Sequence, residues 1–209
     1  LNALLDRGIE YIEVRALDLN PYLPLGLDKT QMRFLDTFLT FCLLQPSPLF
    51  DHAECLNNKE NLTITVTQGR DPELILSAPS GKISLRQWAT DILLSMQPVA
   101  DLLDTTFDTG EHNTALKNQQ QKVVDSSLTP SEQILNTLIA DKISFYQFSM
   151  EQAENHANYF NSRPLDETVQ QQFIAEATLS WQQQTEIEAN DNEDFESFLT
   201  SYYRQYNRD

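Results

Sequence analysis

Glycine is scarce in this chain. Only five occur in 209 residues, and none sits in a GxGxxG or GxxxxGKS/T loop, so neither common backbone cradle for phosphate is present. Any nucleotide must then be held by side chains and metal. Basic residues are also few: 14 Lys and Arg stand against 31 Asp and Glu, for a formal charge of −17. Such a surface repels a phosphate backbone or an anionic leaflet, which argues against nucleic acid and membrane as partners. No apolar run approaches the roughly 20 residues of a membrane span, and nothing at the start has the form of a signal peptide. Cys42 and Cys55 are the only cysteines, too few for a disulfide framework and outside CxxC spacing. They predict two partly buried free thiols in a reducing, cytoplasmic compartment, where the sequon Asn61-Leu62-Thr63 has no use. His52, His112 and His156 lack any HxxxH or HExxH partner, so no zinc site is expected and all three are expected at the surface. A GxSxG elbow is missing too. The chain opens Leu1-Asn2-Ala3 without methionine, as an excerpt of a longer polypeptide would.

The length suits one large domain or two small ones. Residues 9–17 alternate with period two: Ile9, Tyr11, Glu13, Arg15 and Leu17 share one face, and Glu10, Ile12, Val14 and Ala16 the other. This reads as a strand whose second, apolar face packs on a core, ended by Asn20-Pro21 and Pro24. Asp28-Lys29-Thr30-Gln31 has the form of a capping box for a helix to about Leu44, before Pro46 and Pro48. Residues 51–69 balance the β-branched run LTITVT against a helical approach and length, and a helix is expected. A short extended segment is expected at Leu74–Leu76. The amphipathic pattern at Ser84–Leu103 predicts a helix kinked before Pro98. The Gln-rich stretch from Glu111 to Ser126 predicts a helix solvated on most sides. Thr129-Pro130-Ser131-Glu132 marks a helix start, with Thr129 as N-cap, for a segment over 130–161 broken near Lys142. Two more helices are expected over 166–188 and 194–206, separated by the solvated acidic run EIEANDNED.

The run EYIEVR carries the one constellation with a chemical logic. A carboxylate two residues from an arginine on one strand face can bind Mg²⁺ through Glu13 while Arg15 neutralises phosphoryl oxygens. The plainer reading is an exposed ion pair of little energetic worth. A two-carboxylate hydrolase using Glu10 and Glu13 is poor, because alternation puts them on opposite faces.

The segment GIEYIEVRALDLNPYLPLGLDKTQMRFLDTFLTFCLL closely resembles the C-terminal part of the proteobacterial glutamate–cysteine ligases, with a GIEYxEVR strand, LDxNP, a PxG turn and a QxRFLDxF helix. Gln68-Gly69-Arg70-Asp71-Pro72 is similar to the family's GR-x-P element, and Leu128, Thr129, Ser131, Ile134 and Leu135 to its LT-x-S-x-x-IL stretch. The resemblance is strong over about the first 45 residues and looser beyond. It implies an α+β fold, predominantly α-helical, in which residues 1–27 form the edge of a glutamine-synthetase-like antiparallel sheet and 28–209 a helical lobe. It further implies ATP-dependent joining of the L-glutamate γ-carboxylate to L-cysteine through γ-glutamyl phosphate, with Mg²⁺ or Mn²⁺. Glu13 then matches a metal ligand and Arg15 a catalytic, phosphate-contacting arginine, with Asp18 and Asn20 expected to fix the following turn through side-chain-to-backbone bonds. The remaining metal ligands and substrate pockets belong to the family's N-terminal part, which has no counterpart here, so the chain alone is expected to be inactive. The competing class is a non-catalytic acidic helical module, which requires an exposed apolar stripe on the 130–161 or 166–188 helices.

Overall fold

A computed structural model describes residues 2–15, 17–49, 51–204 and 206. Among the described residues the fold is α+β and mostly helical. Its elements run α1 (Asn2–Arg7), α2 (Lys29–Leu44), α3 (His52–Gln68), β1 (Ile75–Ala78), β2 (Gly81–Ser84), α4 (Leu85–Ser95), α5 (Gln97–Phe107), α6 (Glu111–Val124), α7 (Pro130–Asp141), α8 (Phe145–Asn161), α9 (Glu167–Asn190) and α10 (Phe195–Arg204). They divide into two units, Leu19–His156, and Leu1–Asp18 with Ala157–Asp209.

The first unit holds the core. Leu93, Met96, Ala100 and Leu116 are buried together, with Phe34, Phe38, Phe41, Ile92 and Val123 packed around them. Of these, each Leu or Met side chain fully taken out of water contributes about 1.5–3 kcal/mol. The hub is α6, which packs on α2, α4 and α5. Its Gln-rich composition misleads: His112, Ala115 and Leu116, at i, i+3 and i+4, bury one face while the amides take the other. The helix is therefore central, where the sequence predicts one solvated on most sides.

Several helix starts follow from local chemistry. Asp28 Oδ1 accepts the Gln31 N–H at 2.8 Å and opens α2. Asp51 Oδ1 accepts the Glu54 N–H at 2.9 Å, which decides residues 51–69 in favour of α3 over a strand. Ser84 Oγ accepts from Gln87 N and starts α4. The expected kinked helix over 84–103 is two helices, α4 and α5, meeting at Met96 with Pro98 in the first turn of α5. Thr129 stands at the N-cap of α7 but its hydroxyl does not cap; it donates instead to Ser126 O at 2.6 Å, within the 3-10 turn Ser126–Leu128. The predicted break near Lys142 is a left-handed residue, with φ 55°, between α7 and α8. Helix α9 extends to Asn190, so part of the acidic run is helical.

The hairpin β1–β2 is antiparallel, with Ile75 opposite Ser84 and Ala78 opposite Gly81. Helix α3 is tied to it by buried Asn61, whose Nδ2 donates to Ser77 O at 2.8 Å and whose Oδ1 accepts the Ser77 N–H at 2.9 Å. The amide thus does for β1 what a third strand would. Asn61→Ala is expected to cost about 1–3 kcal/mol through the two unpaired backbone groups it leaves, read as a lower urea midpoint at unchanged slope. Asn61→Asp should be worse, since an ionised carboxylate cannot donate to Ser77 O.

A buried polar corner joins α5 to α6. Asp104 lies at the i+4 step after Met96 and Ala100, on the stripe that faces the core. Its Oδ1 accepts from Thr109 Oγ1 at 2.9 Å, His112 N at 2.9 Å and His112 Nδ1 at 2.7 Å. Its Oδ2 accepts from Asn113 N at 3.0 Å and Asn113 Nδ2 at 2.8 Å. His112 is therefore buried, correcting the expectation that all three histidines lie at the surface; its ring also lies 6.1 Å from that of Phe107. His52 is exposed, and His156 is half-buried. Both thiols are free, and both are exposed instead of partly buried, because Cys42 and Cys55 fall on the outer faces of α2 and α3.

The second unit buries none of its described residues. From Ala157 onward Leu199 alone is half-buried and every other described residue is exposed, including Phe173 at 63% and Trp181 at 70%. Val169, Phe173, Ala177 and Trp181 recur every four residues along α9 and form a stripe. A helix in water draws most of its stability from packing such a stripe, so α9 presents a face made to be covered.

Candidate functional site

Helix α1 ends at Gly8, where φ is +75° and the N–H bonds back to Leu4 O at 3.0 Å. The chain then leaves the helix and runs through EYIEVR, but among the described residues no ladder forms from residue 8 to residue 20. This corrects the expected strand packing. Ile12 and Val14, assigned to a core-facing side, are exposed, and Ala16 lies outside the described residues. The physical reason is the lack of a neighbour: period-two alternation gives a strand its faces, but a ladder needs a second strand to pair with, and the one hairpin described is β1–β2.

Within that segment Glu13 and Arg15 meet. Arg15 donates to Glu13 Oε2 at 2.8 Å, with the side chains 80% and 57% exposed respectively. Alternation puts them on one face, and their contact agrees with it. At that exposure the pair contributes about 0–1 kcal/mol, too little to account for two charges on a run otherwise rich in apolar residues. Glu10 turns away and pairs with Arg7 at 3.7 Å.

Of the two residues expected to fix the following turn, Asn20 does so. Its Oδ1 accepts the Tyr22 N–H at 3.0 Å, its N–H donates to Gly26 O at 2.7 Å, and its carbonyl accepts the Leu23 N–H at 3.1 Å. Gly26 has φ +74°, and a Cβ there would meet Leu19 Cδ2 at 2.9 Å, so glycine is required on both counts. Asp18, expected to share this role, is exposed and makes no side-chain bond among the described residues. The turn's donors are already taken by Asn20 and Leu23. Tyr22 carries the turn onto the core unit, its hydroxyl 3.0 Å from Thr137 Oγ1 and its ring 5.5 Å from that of Phe148.

Among the described residues no three His, Cys, Asp or Glu side chains gather as a metal-binding group. Mg²⁺ takes six oxygen ligands, and Glu13 offers one carboxylate, already bonded to Arg15. The described residues do not by themselves make up a Mg²⁺ or Mn²⁺ site. Elsewhere, two further segments singled out in the sequence are joined: Arg70 of the QGRDP element pairs with Glu132 of the TPSEQ start of α7. Glu111 links α6 to α2 by accepting from Lys29 and from Arg33 Nε at 3.0 Å, bonds that hold its carboxyl below the ordinary range.

Residues 1–65 match the protein-family model of glutamate-cysteine ligase. The glutamate–cysteine ligase of Pseudomonas fluorescens is 45% identical over 202 residues, which are 97% of this chain and 38% of that protein. That of Saccharophagus degradans is 41% identical over 207 residues, 99% of this chain and 39% of the relative. The crystal structure of glutamate–cysteine ligase from Francisella tularensis in complex with AMP superposes with a TM-score of 0.88 at 28% identity, covering 98% of this chain and 40% of that one. Over nearly its whole length the chain is thus similar, in sequence and in fold, to a portion of the glutamate–cysteine ligases that makes up about two fifths of each.

Proposed function

We propose that this chain is the C-terminal part of a glutamate–cysteine ligase, a cytoplasmic enzyme that uses ATP to join the γ-carboxylate of L-glutamate to the amino group of L-cysteine. The observation that carries the reading is the likeness to ligases along 97% of the chain, which includes the segment where Glu13 and Arg15 meet. In the reaction the γ-carboxylate oxygen attacks the terminal phosphorus of ATP and ADP leaves. The cysteine amine then attacks the γ-glutamyl carbonyl and phosphate leaves, giving γ-glutamylcysteine. Arg15 has the donors to bond the oxygens of the transferring phosphoryl group and offset their charge. Glu13 is assigned one ligand position on Mg²⁺ or Mn²⁺, with the other ligands supplied from outside these 209 residues. On this reading residues 1–27 complete the edge of a catalytic sheet and 28–209 form the helical lobe. Exposed Ile12 and Val14 and the stripe of α9 are surfaces for the N-terminal part of the enzyme to cover.

The same α9 stripe is what a non-catalytic interaction module requires, and one experiment separates the two. The 209-residue chain alone is expected to release no ADP from Mg-ATP, whereas the longest native polypeptide containing it releases ADP only when both glutamate and cysteine are present. An intact polypeptide that folds but shows no amino-acid-dependent ADP release would favour the module.

A further inference from the structure

Between α2, α4 and α6 the core unit leaves a cavity of about 530 Å³. Its floor is the core itself: Leu93 and Met96 are buried, and Phe34, Phe38 and Ile92 pack half-covered against them. The mouth is charged, and with one sign in excess. Arg70, Arg86 and Lys122 line it against a single acid, Asp71. Three of the chain's 14 basic residues converge on one opening in a molecule of charge −17. Arg70 belongs to the QGRDP turn, which the ligase reading leaves without a role.

The cations are not equally committed. Arg70 is paired with Glu132. Arg86 spends Nε on Val123 O at 3.1 Å and one terminal nitrogen on Val124 O at 2.6 Å, which fixes it across the C-terminal end of α6 and leaves its other terminal nitrogen unused. Lys122, half-buried, has no partner among the described residues. An ammonium group held beside an apolar hollow with all its donors open is the feature that a carboxylate or sulfonate would satisfy.

We infer that this cavity is a binding site for a small amphipathic anion, an aryl or branched-alkyl group seated on Phe34, Phe38 and Met96 with its acid at Lys122 and Arg86. The volume lies within the range of small-molecule sites, roughly 300–1,000 Å³, which are mostly apolar with a few convergent polar groups. A phosphate or nucleotide is a poor match, since the floor has nothing to bond it; an uncharged apolar molecule leaves the cations unanswered. This site goes beyond the ligase reading and does not depend on it.

The test uses the intact polypeptide and two probes of the same shape, 4-phenylbutyrate and its neutral amide, titrated by calorimetry at low and high salt. The acid is expected to bind with Kd on the order of 10²–10³ μM and about tenfold more tightly than the amide, the gap closing as salt rises. Lys122→Gln, a substitution outside the core, should narrow that preference about threefold. Ala89→Trp, which fills the cavity from α4, should abolish binding while the circular dichroism of the protein stays that of the wild type. Equal affinity for acid and amide, binding that survives Ala89→Trp in a folded protein, or a preference untouched by Lys122→Gln would overturn the assignment, as would no saturable heat up to about 10 mM. Should Ala89→Trp not fold, the Lys122→Gln comparison decides alone.

Discussion

On the proposed ligase reading, Arg15→Ala in the intact polypeptide that carries this chain is expected to lower kcat on the order of 10²–10³-fold with little change in the KM for ATP. That is the size of effect seen when one preorganised donor to a developing charge is removed. In this chain the guanidinium is 80% exposed and bonded to a carboxylate that is itself 57% exposed, so losing the pair changes the stability of these residues by no more than about 1 kcal/mol. An unchanged urea midpoint of the variant polypeptide separates a fall in rate from unfolding. Arg15→Lys should recover only part of the rate, because an ammonium supplies the charge but not the planar fork. Glu13→Gln keeps the shape and removes the charge; a comparable loss of kcat is expected, together with a raised requirement for Mg²⁺ if the carboxylate is a metal ligand. Turnover that is ligase-like yet indifferent to both substitutions would leave the family reading standing and remove the site.

The largest effect on stability is expected at Asp104. Its two oxygens accept five hydrogen bonds in a position only 7% exposed. Asp104→Ala strands the N–H groups of His112 and Asn113 and the His112 ring in the core, at a cost of about 3–5 kcal/mol, enough to unfold a domain of ordinary stability. Asp104→Asn keeps the shape but turns one acceptor into a donor facing donors, and about 2–3 kcal/mol is expected. The pH dependence follows from the same contacts. Burial alone would push the carboxyl up, but the N–H groups of Asn113 and His112 and the side chains of both outweigh it and hold the carboxyl well below the ordinary carboxylate range. A folded-state value below the unfolded one, near 3.9, gives stability that is complete above that value and lost as pH falls through the folded one. Urea midpoints measured from pH 6 downward should therefore decline below about pH 4 in the wild type, and decline less in Asp104→Asn. Parallel slopes would mean that Asp104 is not what holds the corner.

How much of this was legible in the sequence depends on where the partner of each residue lies. Asp28, Asp51 and Ser84 act within three residues of themselves, and the starts of α2, α3 and α4 follow from those local bonds. The pairing of Glu13 with Arg15 is equally local, a bond between residues two apart, as the alternation of residues 9–17 suggests. The alternation of residues 9–17 also encodes two faces, but what covers them is not encoded in it, and the described structure leaves both exposed. Asp104 and His112 were missed because their bond crosses a helix-to-helix turn with no motif spacing. A signal existed: Asp104 continues the Met96, Ala100 stripe, and an acid on an apolar stripe needs buried donors. The cavity between α2, α4 and α6 had no such signal, since its cations come from three separate segments brought together only by the tertiary fold.

The corner from Leu93 to Leu116 has a kinetic meaning as well. Met96, Ala100, Asp104, His112 and Leu116 all lie within one short stretch of chain, so the buried heart of the core unit is assembled from neighbours in sequence. The entropy lost in closing a loop grows only with the logarithm of its length, and here the loop is a single helical hairpin. Contacts of low sequence separation are those that form fastest. Helix α2, whose Phe34 and Phe38 arrive from some sixty residues upstream, closes a longer loop onto that hairpin, so its docking carries the larger share of the entropy cost.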